Sequence, residues 1–292
     1  LSSLEQVYSW LASCALPRNG VLIGIGGGAV LDLAGLAAST WTRGIRFIAV
    51  PTTLLAMVDA AIGGKTAINT AGLKNPVGTF HPASTILADP AFLATLPRRE
   101  WRNGLAELIK TAIIGSARLC GSLEKEKESL RNLFGRGQSR QVVPEAVSSL
   151  PWPDWIGTTA RIKARIVQKD FQEAGLRRVL NLGHTLGHAL EARGGFSHGE
   201  AVSIGLAAVF RVAASRGLCR QSTQERLADL LLACGLPITA APPPRAELAR
   251  LLAGDKKKGN DRVRWVLPER FGKVRHDETV SVAEILAALP RK

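Results

Sequence analysis

The stretch 21-VLIGIGGGAVLDLAGLAAS-39 decides the fold, because it predicts a buried strand, a turn of three glycines and then an amphipathic helix. Glycines let a turn lie close to a bound group, and the first turn of the following helix offers unpaired N–H donors to a phosphate. The pattern G-x-G-x-x-A at Gly24, Gly26 and Ala29 matches the dinucleotide fingerprint. The fingerprint also requires an acidic residue about 20 positions further on, at the end of a strand, and none is present. We predict that this turn binds a pyrophosphate, with a tight turn without a ligand as the alternative.

The alternation of strands and helices extends over the first third of the chain. The run 45-IRFIAV-50 predicts a second strand followed by turn residues, and a helix is expected over residues 4–16. Strands that alternate with helical stretches favour a parallel α/β sheet. We therefore assign residues 1–96 to an α/β domain.

The composition and periodicity of the sequence change at Pro97. Beyond it the chain is rich in Ala, Leu and Arg with helical periodicity, which predicts a helical domain over residues 97–292. The run 263-VRWVL-267 is the one strand candidate, and the stretch 134–155, which contains several prolines, is expected to be irregular.

Composition excludes several classes of protein. The 292 residues are 46% hydrophobic and 21% charged, which is typical of globular proteins and excludes a mainly disordered chain. No apolar run reaches the roughly 18–20 residues that a membrane helix requires, so we expect no membrane association. The four scattered cysteines predict reduced thiols in a cytoplasmic protein. Because the chain begins with Leu1 inside a predicted helix, we expect a truncated or processed N-terminus.

The net charge of +14 leaves three classes of partner open: nucleic acid, an anionic surface or an anionic substrate. Nearly all of this charge lies beyond residue 96, since residues 1–96 carry five basic and four acidic side chains. The basic region shows no helix-turn-helix, zinc-finger or base-stacking motif, so nucleic acid is disfavoured. The segment 63-GGKT-66 resembles the end of a nucleotide-binding P-loop, but the first glycine of that motif would fall at Asp59. A nucleoside triphosphatase is therefore unexpected, although Lys65 could contact a substrate phosphate and Asp59 a hydroxyl.

Three of the five histidines lie close together in the sequence, at His184, His188 and His198. Residues four apart share one face of a helix, so spacing alone favours His184 and His188 as metal ligands. His198 follows the glycine pair 194–195 and can fold back toward the same point. Each histidine taken singly could instead be an ordinary helix residue, but three with glycine hinges predict a metal site.

Glu107 is the candidate for a further ligand. It stands in the otherwise apolar helix segment 104-GLAELIK-110, where a carboxylate requires a partner or a metal. The plain alternative is that Glu107 pairs with Lys110 or an arginine. Three protein ligands with an open position are typical of catalytic zinc.

These motifs, in this order and spacing, resemble the 3-dehydroquinate synthase family from about residue 20 to about residue 275. The segments that carry the resemblance are 26-GGGAVLDLAG-35, 41-WTRGIRFIAVPTTLLAMVDAAIGGKTAIN-69, 74-KN-75, 95-TLPRREWRNGLAELIK-110, 163-KARIVQKD-170, 175-GLRRVLNLGHTLGHALEA-192, 198-HGEAVSIG-205 and 255-DKK-257.

The resemblance implies a Rossmann-like NAD-binding domain over residues 1–96, incomplete at its N-terminal strands, and an all-α domain over residues 97–292 that binds metal and substrate. It implies a cytoplasmic homodimer that uses NAD and Zn²⁺ or Co²⁺ on a phosphorylated sugar acid. The implied reaction converts 3-deoxy-D-arabino-heptulosonate 7-phosphate to 3-dehydroquinate and phosphate. Its steps are transient oxidation by NAD, phosphate elimination, re-reduction and an intramolecular aldol closure. This reaction belongs to the shikimate pathway of chorismate and aromatic amino acid biosynthesis.

The resemblance also assigns site residues. It implies Glu107, His184 and His198 as the metal ligands and places His188 at the substrate phosphate, which replaces the expectation from spacing. Catalytic positions fall on Asp59, Lys65, Lys74, Lys110, Glu173 and His188. Substrate-binding positions fall on Arg43, acting across the dimer interface, and on Lys65, Asn75, Lys163, Arg177, Asn181, His188 and Lys256. The dinucleotide surface comprises Gly26, Gly27, Gly28, Asp32, Thr52 and Thr53, with Asp59, Lys65 and Lys74 near the nicotinamide.

The sequence departs from the family pattern at two loops. Leu73 stands where the family usually has glycine before Lys-Asn, and Pro76 follows; 59-DAA-61 replaces the common Asp-Ser-Ser. Three alternatives stay open: a metal-dependent alcohol or glycerol dehydrogenase, a sister sugar phosphate cyclase, and an inactive fragment. The dense set of cations favours a phosphorylated acid over a simple alcohol, and His188 with 163-KAR-165 and Arg177 favours the dehydroquinate reaction.

Overall fold

The computed structural model of the chain describes residues 1–135, 148–254 and 263–289, except for the Lys74 side chain. The first helix, α1 (Ser2–Ser13), ends three residues before its predicted end and packs on α2 (Gly28–Thr40). Three parallel strands form a sheet in the order β1 (Val21–Gly26), β2 (Arg46–Pro51) and β5 (Thr85–Ile86). The register runs from Val21 opposite Arg46 to Gly26 opposite Pro51, and α2 connects these two strands and packs on both. The predicted parallel α/β arrangement is confirmed.

Strand β1 is not buried on both faces, so that prediction is wrong. Leu22 is only 5% exposed and faces the core under α2, but Ile23 and Ile25 are 54% and 60% exposed. Successive side chains of a strand point to opposite faces of the sheet, and in the described part of the chain helix covers only one face of β1. The continuous apolar run 21–25 therefore does not mean that both faces of β1 are buried.

A hairpin and a π-helical turn complete the N-terminal region. Strands β3 (Lys65–Thr70) and β4 (Leu73–Phe80) pair antiparallel across a turn in which Ala71 and Gly72 both have positive φ. The π-helical turn, Ala56–Ala60, lies between β2 and β3 and carries Asp59. Short 3₁₀ turns occur at Trp41–Arg43 and Pro90–Thr95.

Within the described residues, the C-terminal region is mainly helical and contains one hairpin. Its helices are α3 (Arg98–Gly115), α4 (Ala117–Lys125), α5 (Lys127–Phe134), α6 (Trp152–Lys169), α7 (His184–Arg193), α8 (His198–Ser215), α9 (Gln221–Ala233), α10 (Arg245–Gly254) and α11 (Val282–Ala288), with a 3₁₀ turn at Leu176–Asn181. Helix α8 is buried along most of its length and packs on α3, α7, α9 and α11.

The strand candidate at 263–267 is found as β6 (Trp265–Arg270), which pairs antiparallel with β7 (Lys273–Glu278). The second strand was missed because it is largely exposed and highly charged, so it has no apolar alternation to detect. No helix within the three described ranges is long and apolar enough to cross a membrane.

The π-helical turn packs into the hydrophobic core of the helical region. Leu54, Met57 and Val58 are buried in the same cluster as α3 and α8 residues. A Cβ on Gly104 of α3 would lie 2.5 Å from Leu54 Cβ, so glycine permits this close approach. Asp59 is thereby presented to the helices that carry Lys110 and Lys163. The predicted boundary near residue 97 lies just before α3 and stays a prediction.

Candidate active site

Glu107 and Lys110 stand one turn apart on α3 and are almost completely buried, with 0% and 2% exposure. Lys110 Nζ lies 2.5 Å from Glu107 Oε2. The pairing with Lys110 that was the plain alternative is therefore present. Neither carboxylate oxygen of Glu107 accepts a hydrogen bond of good geometry within the described part of the chain. A buried carboxylate in this state still has acceptor capacity for a metal.

Two close backbone approaches bring the histidines to Glu107. The Gly199 N–H at the start of α8 donates to Asn103 Oδ1, and a Cβ on Gly199 would lie 2.5 Å from Asn103 Cα. Gly183, with φ +76°, directly precedes α7, and a Cβ on Gly205 would lie 1.9 Å from the Gly183 carbonyl oxygen. Glycine is required at these contacts because any side chain would separate α3, α7 and α8. The N-termini of α7 and α8 therefore meet at Glu107.

The two histidines at these helix ends face one carboxylate oxygen. His184 Nε2 and His198 Nε2 each lie 3.4 Å from Glu107 Oε1, and the three candidate ligand atoms lie within 4.8 Å of one another. His184 Nδ1 lies 3.2 Å from the Leu182 carbonyl oxygen, which can only accept, so Nδ1 carries the hydrogen. In the neutral His184 ring, Nε2 then carries a lone pair and faces Glu107 Oε1, which is also an acceptor. A cation between these atoms would satisfy both, so the residues fit a metal.

The charges in the cluster agree with this geometry. Burial lowers the pKa of His184 to about 4, helped by the charge of Lys110, so this imidazole is neutral. Burial would raise the pKa of Glu107, but Lys110 and the two histidines outweigh it, and the pKa lies well below its usual range. Burial would likewise lower the pKa of His198, but the Glu107 and Glu191 carboxylates beside its two ring nitrogens raise it to about 9. Without a metal the cluster thus holds an ionised Glu107, a neutral His184 and a protonated His198, and a bound metal would displace the His198 proton.

Asp59 lies between Lys163 and Lys110, the lysine that pairs with Glu107. Lys163 Nζ donates to the Asp59 backbone oxygen at 2.6 Å and lies 2.8 Å from Asp59 Oδ1, while Lys110 Nζ lies 3.8 Å from the same Oδ1. Burial would raise the pKa of Asp59, but Lys163 and Lys110 hold it below its usual range. The two lysines differ, because burial lowers the pKa of Lys163 whereas Glu107 and Asp59 overcome burial and raise the pKa of Lys110. Negative and positive side chains therefore alternate in the order Glu107, Lys110, Asp59 and Lys163.

The glycine turn lies beside the same π-helical turn. A Cβ on Gly27 would lie 3.1 Å from Thr53 Cγ2, and one on Gly28 would lie 3.3 Å from Ala60 Cβ. The Thr52 N–H donates to the Gly26 carbonyl oxygen at 2.9 Å, which fixes the end of β2 beside the turn. The glycine turn, Thr52 and Thr53 therefore lie together beside the turn that carries Asp59.

Asp32, one turn into α2, is partly buried. Burial raises its pKa to about 6, and the charge of Asp59 adds to the rise while Lys163 opposes it. Between pH 4 and pH 6 the folded chain therefore holds a proton that the unfolded chain has lost. The contribution of Asp32 to the free energy of unfolding falls as pH rises through this window and is constant above it.

We expect the substitution Asp32→Asn to stabilise the chain at pH 7 and to have no effect near pH 4, where Asp32 is protonated in the folded state. The expected gain is about 2–4 °C in Tm. Thermal unfolding of both proteins, followed by circular dichroism across this pH range, measures it. Equal Tm values at pH 7 would show that the Asp32 charge is not penalised in the fold.

A second group of polar side chains lies at the start of β3. Arg177 is 2% exposed, and its guanidinium donates to the carbonyl oxygens of Phe171 at 2.6 Å and Gly63 at 3.0 Å. Lys65 on β3 forms an ion pair with Glu173, which also accepts from Asn181 Nδ2 at 3.1 Å. These contacts join residues 63–65 of the N-terminal region to residues 171–181 of the helical region.

The structure brings most of the predicted residues into these two groups and leaves some apart. His188 lies outside the three-atom cluster, with its ring 5.2 Å from that of His184. Arg43 and Asn75 both have positive φ and exposed side chains, and no contact with either group is found within the described ranges. Lys256 and the side chain of Lys74 lie outside the described residues.

Sequence reasoning missed two carboxylates at this site. Asp170 accepts the backbone N–H groups of Ala174, Gly175 and Arg177 at 2.8–2.9 Å and so anchors the loop that carries Glu173. Glu191 lies 3.2 Å from His198 Nδ1. The signal for Glu191 was available, because it follows His184 by seven residues and therefore lies on the same face of α7.

Solved structures share this architecture. A 2-epi-5-epi-valiolone synthase from Streptomyces hygroscopicus subsp. jinggangensis 5008, solved with NAD⁺ and Zn²⁺ bound, is 32% identical and matches with a TM-score of 0.85 over 98% of this chain and 77% of its own. A 2-deoxy-scyllo-inosose synthase complexed with carbaglucose-6-phosphate, NAD⁺ and Co²⁺ is 26% identical and matches with a TM-score of 0.75 over 94% of this chain and 73% of its own. The fold and the Glu–His–His cluster define an enzyme of the sugar phosphate cyclase class.

Family models for the N-terminal and C-terminal parts of 3-dehydroquinate synthase match residues 1–103 and 104–258. The chain belongs to the 3-dehydroquinate synthase family. A 3-dehydroquinate synthase from Synechococcus sp. (strain CC9605) is 41% identical over 294 residues, which cover 99% of this chain and 76% of that protein. Relatives of this kind support 3-dehydroquinate synthase activity as the function of the chain, and the family expected from the motifs is confirmed.

Proposed function

We propose that the chain works as an NAD- and divalent-metal-dependent lyase that converts 3-deoxy-D-arabino-heptulosonate 7-phosphate to 3-dehydroquinate and phosphate. The observation that carries this proposal is the Glu107–His184–His198 cluster, in which Glu107 is fully buried and which lies beside the cations Lys110 and Lys163. A substrate with a phosphate, a carboxylate and several hydroxyls needs both kinds of group, cations for its charges and a metal for its reacting hydroxyl.

We propose that Glu107, His184 and His198 hold Zn²⁺ or Co²⁺, with a position left open for the substrate. When bound, the metal supplies Lewis acidity that lowers the pKa of a substrate hydroxyl. Lys110 keeps its charge beside Glu107, because Glu107 and Asp59 raise its pKa. Its ammonium group would stabilise negative charge that develops on the substrate in this water-poor part of the site.

The proposed dinucleotide surface consists of Gly26, Gly27, Gly28, Asp32, Thr52 and Thr53. The close packing of Gly28 on the turn that carries Asp59 supports a nicotinamide position near Asp59, and Lys65 and Lys74 are proposed to lie beside it. When bound there, NAD would supply reversible hydride transfer, so no net oxidation would result. Asp59 remains ionised between two lysines and would orient them toward the substrate.

We propose that Arg177 and Lys163 bind the carboxylate end of the substrate. Two carbonyl oxygens fix the Arg177 guanidinium, and its remaining N–H groups stay available for a carboxylate. Lys65 would exchange its Glu173 partner for the substrate, and Glu173 would keep Asn181 in place. His188, Asn75, Lys256 and the Arg43 of a second subunit are proposed to complete the phosphate and substrate contacts. The last of these requires a homodimer, which we propose to be cytoplasmic.

The assay that tests this function follows two products at once. With NAD and Zn²⁺, the purified chain is expected to release one phosphate for each heptulosonate phosphate consumed, and the absorbance of NADH should not accumulate. This balance follows because the hydride is returned within each turnover. Phosphate release and NADH absorbance are measured in the same reaction.

A polyol without phosphate is the control substrate. Stoichiometric NADH from this polyol, with no phosphate released from the sugar phosphate, would support the dehydrogenase alternative and contradict the proposal. Phosphate release without a carbocyclic product would instead indicate elimination without ring closure, which mass spectrometry of the product detects.

A further inference from the structure

Glu191 and His198 form a pair that the proposed reaction does not yet use. Glu191 Oε2 lies 3.2 Å from His198 Nδ1, and on the other side of the ring His198 Nε2 lies 3.4 Å from Glu107 Oε1. The His198 imidazole therefore stands between two carboxylates that come from different helices. Its orientation is determined from both edges.

Helix geometry explains how Glu191 reaches this position. Glu191 follows His184 by seven residues, which is about two turns, so both side chains project from one face of α7. That face packs against α8, which begins at His198. The Glu191 carboxylate thus reaches Nδ1 of His198, the first residue of α8. His184, two turns earlier on the same face, lies against Glu107.

We propose that Glu191 is a positioning residue for the metal site: its carboxylate accepts the Nδ1 hydrogen of His198 and so directs the Nε2 lone pair of that ring toward the metal. This inference rests on the proposed function only in requiring that Glu107, His184 and His198 bind a metal. Carboxylates and carbonyl oxygens behind metal-ligating histidines fix the ring tautomer and orientation in this way. The Leu182 carbonyl oxygen does the same for His184 at 3.2 Å.

The two histidines therefore have unequal supports. The backbone acceptor of His184 cannot be removed by substitution, whereas the acceptor of His198 is a side chain and can be changed. In Glu191→Gln the side chain keeps its size and loses its charge, and we expect the affinity for Zn²⁺ to fall roughly 10–100-fold. In Glu191→Ala no acceptor remains, so the loss should be at least as large.

Glu247→Gln is the matched control. Glu247 is 28% exposed, close to the 26% of Glu191, and it also binds a residue of α7, since Arg193 Nε lies 3.1 Å from its Oε1. It makes no contact with His198 within the described ranges. A general loosening of α7 would appear in both variants, but a loss of ring orientation would appear only at Glu191.

The test is a chelator competition that gives the Kd for Zn²⁺, together with the visible absorption spectrum of the Co²⁺-loaded chain, which reports ligand geometry. We expect Glu191→Gln to weaken Zn²⁺ binding and to alter the Co²⁺ spectrum, with Glu247→Gln like the wild type and with both apo-proteins folded by circular dichroism. Glu191→Asp, which keeps the charge but shortens the reach, should regain part of the affinity. A wild-type Kd in Glu191→Gln, or equal losses in both Gln variants, would overturn the inference. Failure of the wild-type chain to bind Zn²⁺ would instead overturn the proposed metal site.

Discussion

Replacing His184 with alanine is expected to abolish metal retention and, with it, turnover. The substitution removes one of three ligand atoms that lie within 4.8 Å of one another, and Glu107 with His198 alone cannot complete a tetrahedral site. Because a metal supplies several kcal/mol of charge stabilisation, we expect turnover to fall on the order of 10³-fold or more. Metal content after dialysis, measured by atomic emission, and phosphate release check the two effects.

Glu107→Gln is the companion variant because it keeps the volume of a fully buried side chain and removes its charge. It should lose metal as His184→Ala does, and unlike that variant it leaves no cavity. Circular dichroism establishes that each variant is folded. If both folded variants retain one metal per chain, the ligand assignment is wrong.

The sequence allowed the local features to be predicted because their causes are local. The glycine turn after β1 and the helix that follows it depend on neighbouring residues, and both were found where expected. Glu107 could be singled out because an acidic side chain within an apolar helix segment is costly unless it has a partner. The family resemblance added the long-range roles that no single motif contains.

What could not be predicted from local patterns depends on contacts between distant segments. Lys163 and Asp59 are 104 positions apart, and Arg177 reaches the Gly63 carbonyl oxygen across 114 positions. Both contacts arise because the π-helical turn lies in the core of the helical region, which sequence periodicity does not reveal. The exposed face of β1 was missed for a similar reason, since an apolar run does not show how many layers cover a sheet.

The geometry of α7 also explains why the i, i+4 spacing of His184 and His188 does not identify the histidines of the cluster. Four residues advance the helix by about 6 Å. The cluster forms where the first turn of α7 meets the start of α8, so His184 and His198 face Glu107 and His188 lies one turn beyond. Spacing identifies a shared face of the helix, but the crossing of a second helix decides which residue on that face is used.

His188→Ala is expected to retain the metal and still turn over slowly. The His188 ring stands 5.2 Å from that of His184, is partly exposed and contributes no atom to the three-ligand cluster. If it contacts the substrate phosphate as the family resemblance implies, its loss removes a group that orients the phosphate or transfers a proton, and we expect kcat to fall roughly 10²–10³-fold. Metal content and phosphate release are measured beside His184→Ala, and His188→Gln should recover part of kcat because its amide can still donate a hydrogen bond.

Loss of metal from His188→Ala would make His188 a ligand, whereas an unchanged kcat would remove it from the phosphate site. Retained metal with a lowered kcat is the combination that separates the two histidines, although spacing alone gives them the same role.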